Sequence, residues 1–369
     1  MDQTKPGGGN RISRRRLLAG GIAASATLPI LHETIPHQGI HEALGAEHTH
    51  GGESGDMAPT EASMTHRGHD GALHASFRSG ADVDHVANGF NPTDILRDFD
   101  MGRTRRLPGG RVLREWEIVA QDAEIEVAPG VKYAAWTYNG RVPGPTLRCT
   151  EGERLRIRFT NGSSHPHTMH FHGVHSSFMD GMPGIGEDDG GGLIAPGESF
   201  DYEFDATPFG THLYHCHASP LAAHIAKGLY GAFIIDPKEG REPADEMVMV
   251  MNAFDTNFDF ANEVYAVNTV GFHYQRHPIQ VRRDELIRIH LSNLVEYDPV
   301  NSFHLHGNFF DYIPTGTSLK PSEFTDIVIQ GQAQRGILEM RFPKNGLYMF
   351  HAHVTEFAEL GWVGFFEVS

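Results

Sequence analysis

Two cysteines and 25 histidines are the side chains of this 369-residue sequence with the clearest capacity for metal chemistry. Imidazole is the commonest side-chain ligand for a metal, and thiolate is the softest. Cys216 stands between His215 and His217 in GTHLYHCHASPLAAHIAKGLYG (210–231), and His224 follows eight residues later. Three more segments carry histidine pairs: HPHTMHFHG (165–173), FHLHG (303–307) and FHAH (350–353). One His-x-His pair on a strand is ordinarily a solvated or core feature. Four pairs in register, one enclosing a cysteine, point to metal binding.

On a β-strand, residues two apart share a face and neighbours oppose. His215 and His217 therefore project one way and Cys216 the other. The same rule groups His170 with His172, and it turns His167, three positions before His170, toward the side of Cys216. His167, Cys216 and His224 then form a set of two imidazoles and one thiolate, the trigonal blue-copper arrangement used for electron transfer. Leu229, five residues after His224, falls at the axial position and cannot coordinate, so a three-coordinate site of raised reduction potential is expected. On the opposite side, His170, His172, His215 and His217 supply four imidazoles, and His304, His306, His351 and His353 supply four more. Eight are too many for one copper and suit a cluster of three.

The elements that must hold these residues are legible as short β-branched and aromatic runs separated by Gly and Pro, from Phe90 onward, as in REWEIVAQDAEIEV, KYAAWTYNG and SFDYEFDA. Such spacing predicts an all-β chain of β-sandwiches, with one short helix over Pro220 to Lys227. An internal repeat sets the domain count. ERLRIRFTNGSSHPHTMHFHG (153–173) is echoed by DELIRIHLSNLVEYDPVNSFHLHG (284–307), and FGTHLYHCH (209–217) by NGLYMFHAH (345–353). Two tandem sandwiches are expected, 90–238 and 246–369, joined by EGREPAD. The second repeat keeps its four imidazoles but has Asn301, Ala352, Phe357 and Trp362 where the first has His167, Cys216, His224 and Leu229.

A formal charge of −17 argues against nucleic acid or an anionic membrane surface as the main partner. The start of the chain, NRISRRRLLAGGIAASATLPIL, resembles a twin-arginine export signal, ending near residue 26 or as late as 46. It is too short for a membrane span. The implied destination is periplasmic, cell-surface or secreted, reached with the protein already folded. Residues 27–89 read as a flexible, His-rich leader whose His48, His50, His66, His69, His74, Met57 and Met64 are taken as solvated linker rather than as a copper store. Cys149, in TLRCTEGE, is expected to be a core thiol.

Taken together, HPHTMHFHG, YHCHASPLAAHIAKGL, FHLHG and FHAH, with YNGRVPGPTLRCTEGERLRIRFTNG near the start, resemble the multicopper oxidases over nearly all of the chain after Phe90. The arrangement is similar to the two-domain, laccase-like type with its blue copper in the first domain. That resemblance implies two cupredoxin-like Greek-key sandwiches and four coppers per chain. It makes His167, Cys216 and His224 the type 1 ligands and gives His170 and His304 to the type 2 copper. His172, His215, His217, His306, His351 and His353 go to the type 3 pair. The implied reaction takes four single electrons from phenols, aromatic amines or low-valent metal ions and reduces O₂ to water, with Asp180 as a proton relay and Glu356 as a weaker candidate. It also implies a homotrimer with clusters between chains. Two rivals are a copper nitrite reductase and a non-enzymatic copper storage or electron-transfer protein. The first resembles a site with an aspartate where this chain has His170, and the second leaves eight imidazoles without use.

Overall fold

Alternation of apolar and polar residues writes the strands directly. In Arg154–Asn161, RLRIRFTN, Leu155, Ile157 and Phe159 are buried while the arginines between them reach toward solvent. The computed structural model describes residues 82–181 and 193–369, and these residues are nearly all β. The expected export signal and most of the leader, including His48, His50, Met57, Met64, His66, His69 and His74, lie outside them.

Four sheets stack in pairs. Two are drawn from residues 99–236: one runs in the order Phe99–Asp100, Thr146–Thr150, Tyr230–Asp236, Gly210–His215, His170–Phe171. Its companion orders Arg103–Arg106, Val112–Ala128, Arg154–Asn161 and Ser199–Asp205, with Val131–Tyr138 also paired to the long strand. The other two come from residues 245–368 and repeat the plan. Asp245–Phe254 runs parallel to Ile287–Asn293 as Val112–Ala128 does to Arg154–Asn161, and Gly346–His351 lies antiparallel to Val363–Val368 as Gly210–His215 does to Tyr230–Asp236. Parallel neighbours need crossover connections, so these sheets are not simple meanders.

Each pair of sheets encloses its own core. Trp116, Ile157, Phe159, Phe171, Tyr202 and Phe233 fill the first, and Met249, Ile289, Phe303, Phe350 and Trp362 the second. A third apolar layer joins them, in which Val127, Tyr133, Leu213 and Ile234 meet Val248, Val250 and Phe254. This explains why MVMVM in Asp245–Phe254 shows no polar alternation. Met247, Met249 and Met251 face their own core while Val248 and Val250 face the neighbouring sandwich.

The leader gives way to the fold earlier than expected. Asp84 caps the short helix His85–Asn88 through the Val86 and Ala87 N–H groups, Val83 is buried, and the Asn88 side chain both donates to Glu126 O and accepts from Glu126 N–H. Residues 82–89 are thus part of the folded body. Their few large apolar residues hid this, because side-chain hydrogen bonds hold much of the segment in place.

Candidate metal centre

The strand Gly210–His215 ends one residue before the cysteine. The alternation nevertheless continues past the end: the rings of His215 and His217 stack with centroids 5.8 Å apart and planes 24° apart, while Cys216 turns away into the core. There the Cys216 N–H donates to Leu229 O (2.9 Å), and the expected helix, Leu221–Ala226, delivers His224. His167 arrives on a bridge to Ile194. Cys216 Sγ is 3.2 Å from His224 Nδ1 and 3.7 Å from His167 Nδ1, and the two Nδ1 atoms are 3.1 Å apart. Three donors on one first-row ion in a trigonal plane would stand about 3.5–3.8 Å apart, given bonds of about 2.0–2.3 Å. The triangle fits an ion with side-chain adjustment alone.

Its electrostatics suit a soft cation. Burial, reinforced by the mutual proximity of the rings, holds His167 at about 3, and burial holds His224 at about 4, so both imidazoles are neutral ligands at pH 7. Burial pushes the Cys216 thiol up, against N–H groups of Ala218, Thr168 and His217 that favour the thiolate. A coordinated cation would complete the deprotonation. Leu229 is fully buried in the same cluster as Cys216, and Trp136 covers the two imidazoles, with its ring centroid 5.1 Å from His167 and 4.8 Å from His224.

On the other side, His170 pairs in register with His215, and His170, His172, His215 and His217 crowd together with ring centroids 4.9 to 5.8 Å apart. His215 Nδ1 lies 2.7 Å from Cys216 O, a group that can only accept. The proton therefore sits on Nδ1, and Nε2 turns its lone pair toward His172 Nε2, 2.8 Å away. Burial, then the neighbouring rings, holds His172 at about 2.

The second repeat reproduces this in detail. His304 pairs with His351, His351 Nδ1 donates to Ala352 O (2.7 Å), and His306 Nε2 lies 2.9 Å from His351 Nε2. The N–H of His217 donates to Thr168 Oγ1 as that of His353 does to Ser302 Oγ. His306 and His353 are exposed, so this quartet opens onto the surface. Among the described residues no ring contact joins the two quartets. The positions of the second repeat that match Cys216, His224 and Leu229 keep the same backbone: the Ala352 N–H donates to Trp362 O, and that of Trp362 to Phe357 O, as Cys216 does to Leu229 and Leu229 to His224.

Asp180 and His175 lie beside the first quartet, against His170. His170 Nδ1 donates to Asp180 Oδ1 at 2.7 Å, which orients Nε2 inward. His175, unassigned in sequence, has a fully buried side chain whose Nε2 accepts the Phe171 N–H at 2.9 Å and lies 3.0 Å from Asp180 Oδ1. Burial holds it at about 4. Its spacing from the other histidines matches no strand parity, and this concealed it. Glu356 is exposed on the helix Thr355–Glu359, and among the described contacts its carboxylate bonds to no quartet histidine. Cys149 is a buried free thiol, its ionisation suppressed by burial. No helix among the described residues is long and apolar enough to cross a membrane.

Comparison with known proteins agrees with this geometry. Two family models, each described as multicopper oxidase, match residues 119–240 and 241–369. A solved structure described as a multicopper oxidase is 66% identical, with a TM-score of 0.74, and the match covers 76% of this chain and 98% of that one. The copper-containing nitrite reductase of Neisseria gonorrhoeae is 30% identical over 251 residues, 62% of this chain and 61% of that protein's length. Laccase-2 of Botryotinia fuckeliana is 37% identical over 133 residues, 35% of this chain and 22% of that one. The chain thus spans about three fifths of the nitrite reductases it matches. With two cupredoxin-like sandwiches and a donor set suited to copper, the chain belongs to the multicopper oxidase family.

Proposed function

We propose that the protein is a laccase-like oxidase that takes electrons singly from a small reducing substrate and uses four of them to reduce O₂ to two waters. The observation that carries this reading is the pair of complete imidazole quartets in matching register, one of them built on the segment that also holds Cys216. His167, Cys216 and His224 would hold one copper, with Leu229 beside it as a side chain unable to coordinate. His170 and His304 would share a second, and His172, His215, His217, His306, His351 and His353 a pair. Copper, if bound in these sets, would supply one-electron redox cycling and the electrons for four-electron reduction of O₂.

The chain's own residues do the rest. Trp136 packs against His224 and His165, giving the entry side an aromatic wall suited to phenols and aromatic amines. The bonds of His215–Cys216–His217 join the two donor sets, the shortest covalent connection available to an electron. Asp180 holds the His170 proton and stands within reach of His175, which suits it to pass protons to the quartet. Because no ring contact joins the two quartets among the described residues, a full set of eight calls for a neighbouring chain. A head-to-tail contact that closes gives a ring, here a homotrimer. The protein would be exported folded, through its twin-arginine-type start.

Nitrite reduction is the second reading, favoured by the Neisseria relative. Copper counting with turnover separates the two: about four coppers per chain with O₂ uptake supports the oxidase, and two with nitrite turnover supports the reductase. His351→Ala should keep the blue colour and lose O₂ uptake. A monomer by light scattering with full oxidase activity would overturn the ring.

A further inference from the structure

Away from both quartets, Asp82, His85, His273 and His277 converge, with one potential ligand atom from each all within 4.8 Å of one another. Asp82 and His85 come from the segment just before the first sandwich. His273 and His277 flank the turn His273–Arg276 of the second repeat, where an i, i+4 spacing puts both imidazoles on one face. The rings of His85 and His273 are 4.9 Å apart and those of His273 and His277 4.8 Å apart.

The hydrogen bonding of this cluster is incomplete in a particular way. Both ring nitrogens of His85 are shielded from solvent and have no hydrogen-bond partner among the described residues, and the same holds for His273 Nδ1. His273 is 1% exposed. Its other nitrogen, Nε2, is 2.8 Å from Thr93 Oγ1, so a proton on Nε2 donated to that hydroxyl leaves the Nδ1 lone pair facing the cluster. A ring held by its far nitrogen is how proteins orient histidine ligands. Asp82 already contacts His277 Nε2 through Oδ2, and its Oδ1 accepts the Val83 N–H (3.0 Å) and faces Arg276 Nη1 (3.4 Å). Buried polar atoms are rarely left without partners. Three imidazoles gathered this closely, two of them with shielded ring nitrogens that lack a hydrogen-bond partner among the described residues, offer donor atoms to a cation.

We propose that Asp82, His85, His273 and His277 form a structural zinc site, separate from the copper centres and independent of the oxidase reading. Three imidazoles and one carboxylate supply four protein ligands, the complement that structural zinc takes. Zinc takes four such nitrogen and oxygen donors in a tetrahedral shell, whereas Cu(II) prefers tetragonal geometry. Donors around zinc at about 2.0 Å stand about 3.3 Å apart, so closing from 4.8 Å needs side-chain rotation only. The ion would clip together residues as far apart in sequence as Asp82 and His277, 195 positions, and so restrict the unfolded chain. It would also brace the turn whose Phe272, Gln275 and Arg276 help line a cavity of about 530 Å³ reaching His351 of the second quartet.

The test uses the copper-loaded full chain, equilibrated with zinc sulfate and freed of unbound metal by gel filtration. Wild type should retain about one zinc per chain beyond any held by His85→Gln, and zinc should raise its melting temperature by more than that of the variant. His85 is only half-buried, so the substitution should leave fold and blue absorption intact; Asp82→Asn serves as a second variant. Zinc K-edge absorption should show four nitrogen or oxygen neighbours with imidazole outer shells, and each variant should bind at least about tenfold more weakly. Equal zinc in wild type and both variants, as expected if other histidines hold it, would overturn the site. So would wild type that retains none. An extra copper in place of zinc, lost in the variants, would overturn zinc as the occupant.

Discussion

Cys216 and Ala352 sit in the same backbone frame, each donating its N–H to the residue three positions past the end of the short helix, Leu229 and Trp362, so under the proposed reading the side chains and not the backbone decide where a blue site forms. Cys216→Ser should therefore abolish the intense blue absorption and remove about one copper per chain, while copper in the quartets remains, as metal analysis would register. Leu229 is fully buried against this site with no donor atom. Leu229→Met would bring a thioether, favour the oxidised ion and lower the potential; a redox titration giving an unchanged or higher value would count against the axial placement. His212 offers a stability test free of metal. It is buried, its Nε2 is 2.9 Å from Pro208 O, and burial holds it at about 4 against an ordinary 6.5. The unfolded chain takes up this proton below pH 6.5 and the folded chain does not until about pH 4, so stability falls on acidification across that window. His212→Gln should flatten the acid limb by up to about 3 kcal/mol, measured as urea midpoints from pH 7 to pH 4.

At the scale of elements, period-2 alternation made Arg154–Asn161 and its kin readable, and the repeat placed them twice. Parity also sorted the histidines correctly between two sides, although Cys216 lies past the end of its strand. His217 still lies beside His215 while Cys216 enters the core, and this preserved the inference. Elements held by polar contacts were not legible: the helix His85–Asn88 is fixed by Asp84 and Asn88, and the zinc cluster draws on histidines almost 200 positions apart that share no sequence pattern. Asp245–Phe254 is buried on both faces, which alternation cannot report. Its two faces have separable consequences. Met249 fills the second core, so Met249→Ala should cost about 2–5 kcal/mol in urea unfolding while the blue spectrum of the first sandwich is unchanged in the folded protein.

For the whole molecule, the asymmetry between repeats is the informative feature. Both keep a quartet, and the second, with His306 and His353 exposed, turns its imidazoles to the surface, as a half-site awaiting another protein surface would. The repeat made both quartets legible in the sequence, and under the proposed reading each is completed by a neighbouring chain, a pairing the sequence implies only through family resemblance because a single chain carries no record of its contacts with a copy of itself. Complementation distinguishes the arrangements. A chain with His172→Ala and His215→Ala lacks a working first quartet, and one with His306→Ala and His351→Ala lacks the second, so each alone should be inactive. Co-expressed in equal amounts and randomly assembled in a closed head-to-tail ring, they would place an intact first quartet against an intact second one at about a quarter of the interfaces. About a quarter of wild-type O₂ uptake should return. If each chain instead folded both quartets into one centre, every centre would carry a lesion, and co-expression would restore nothing.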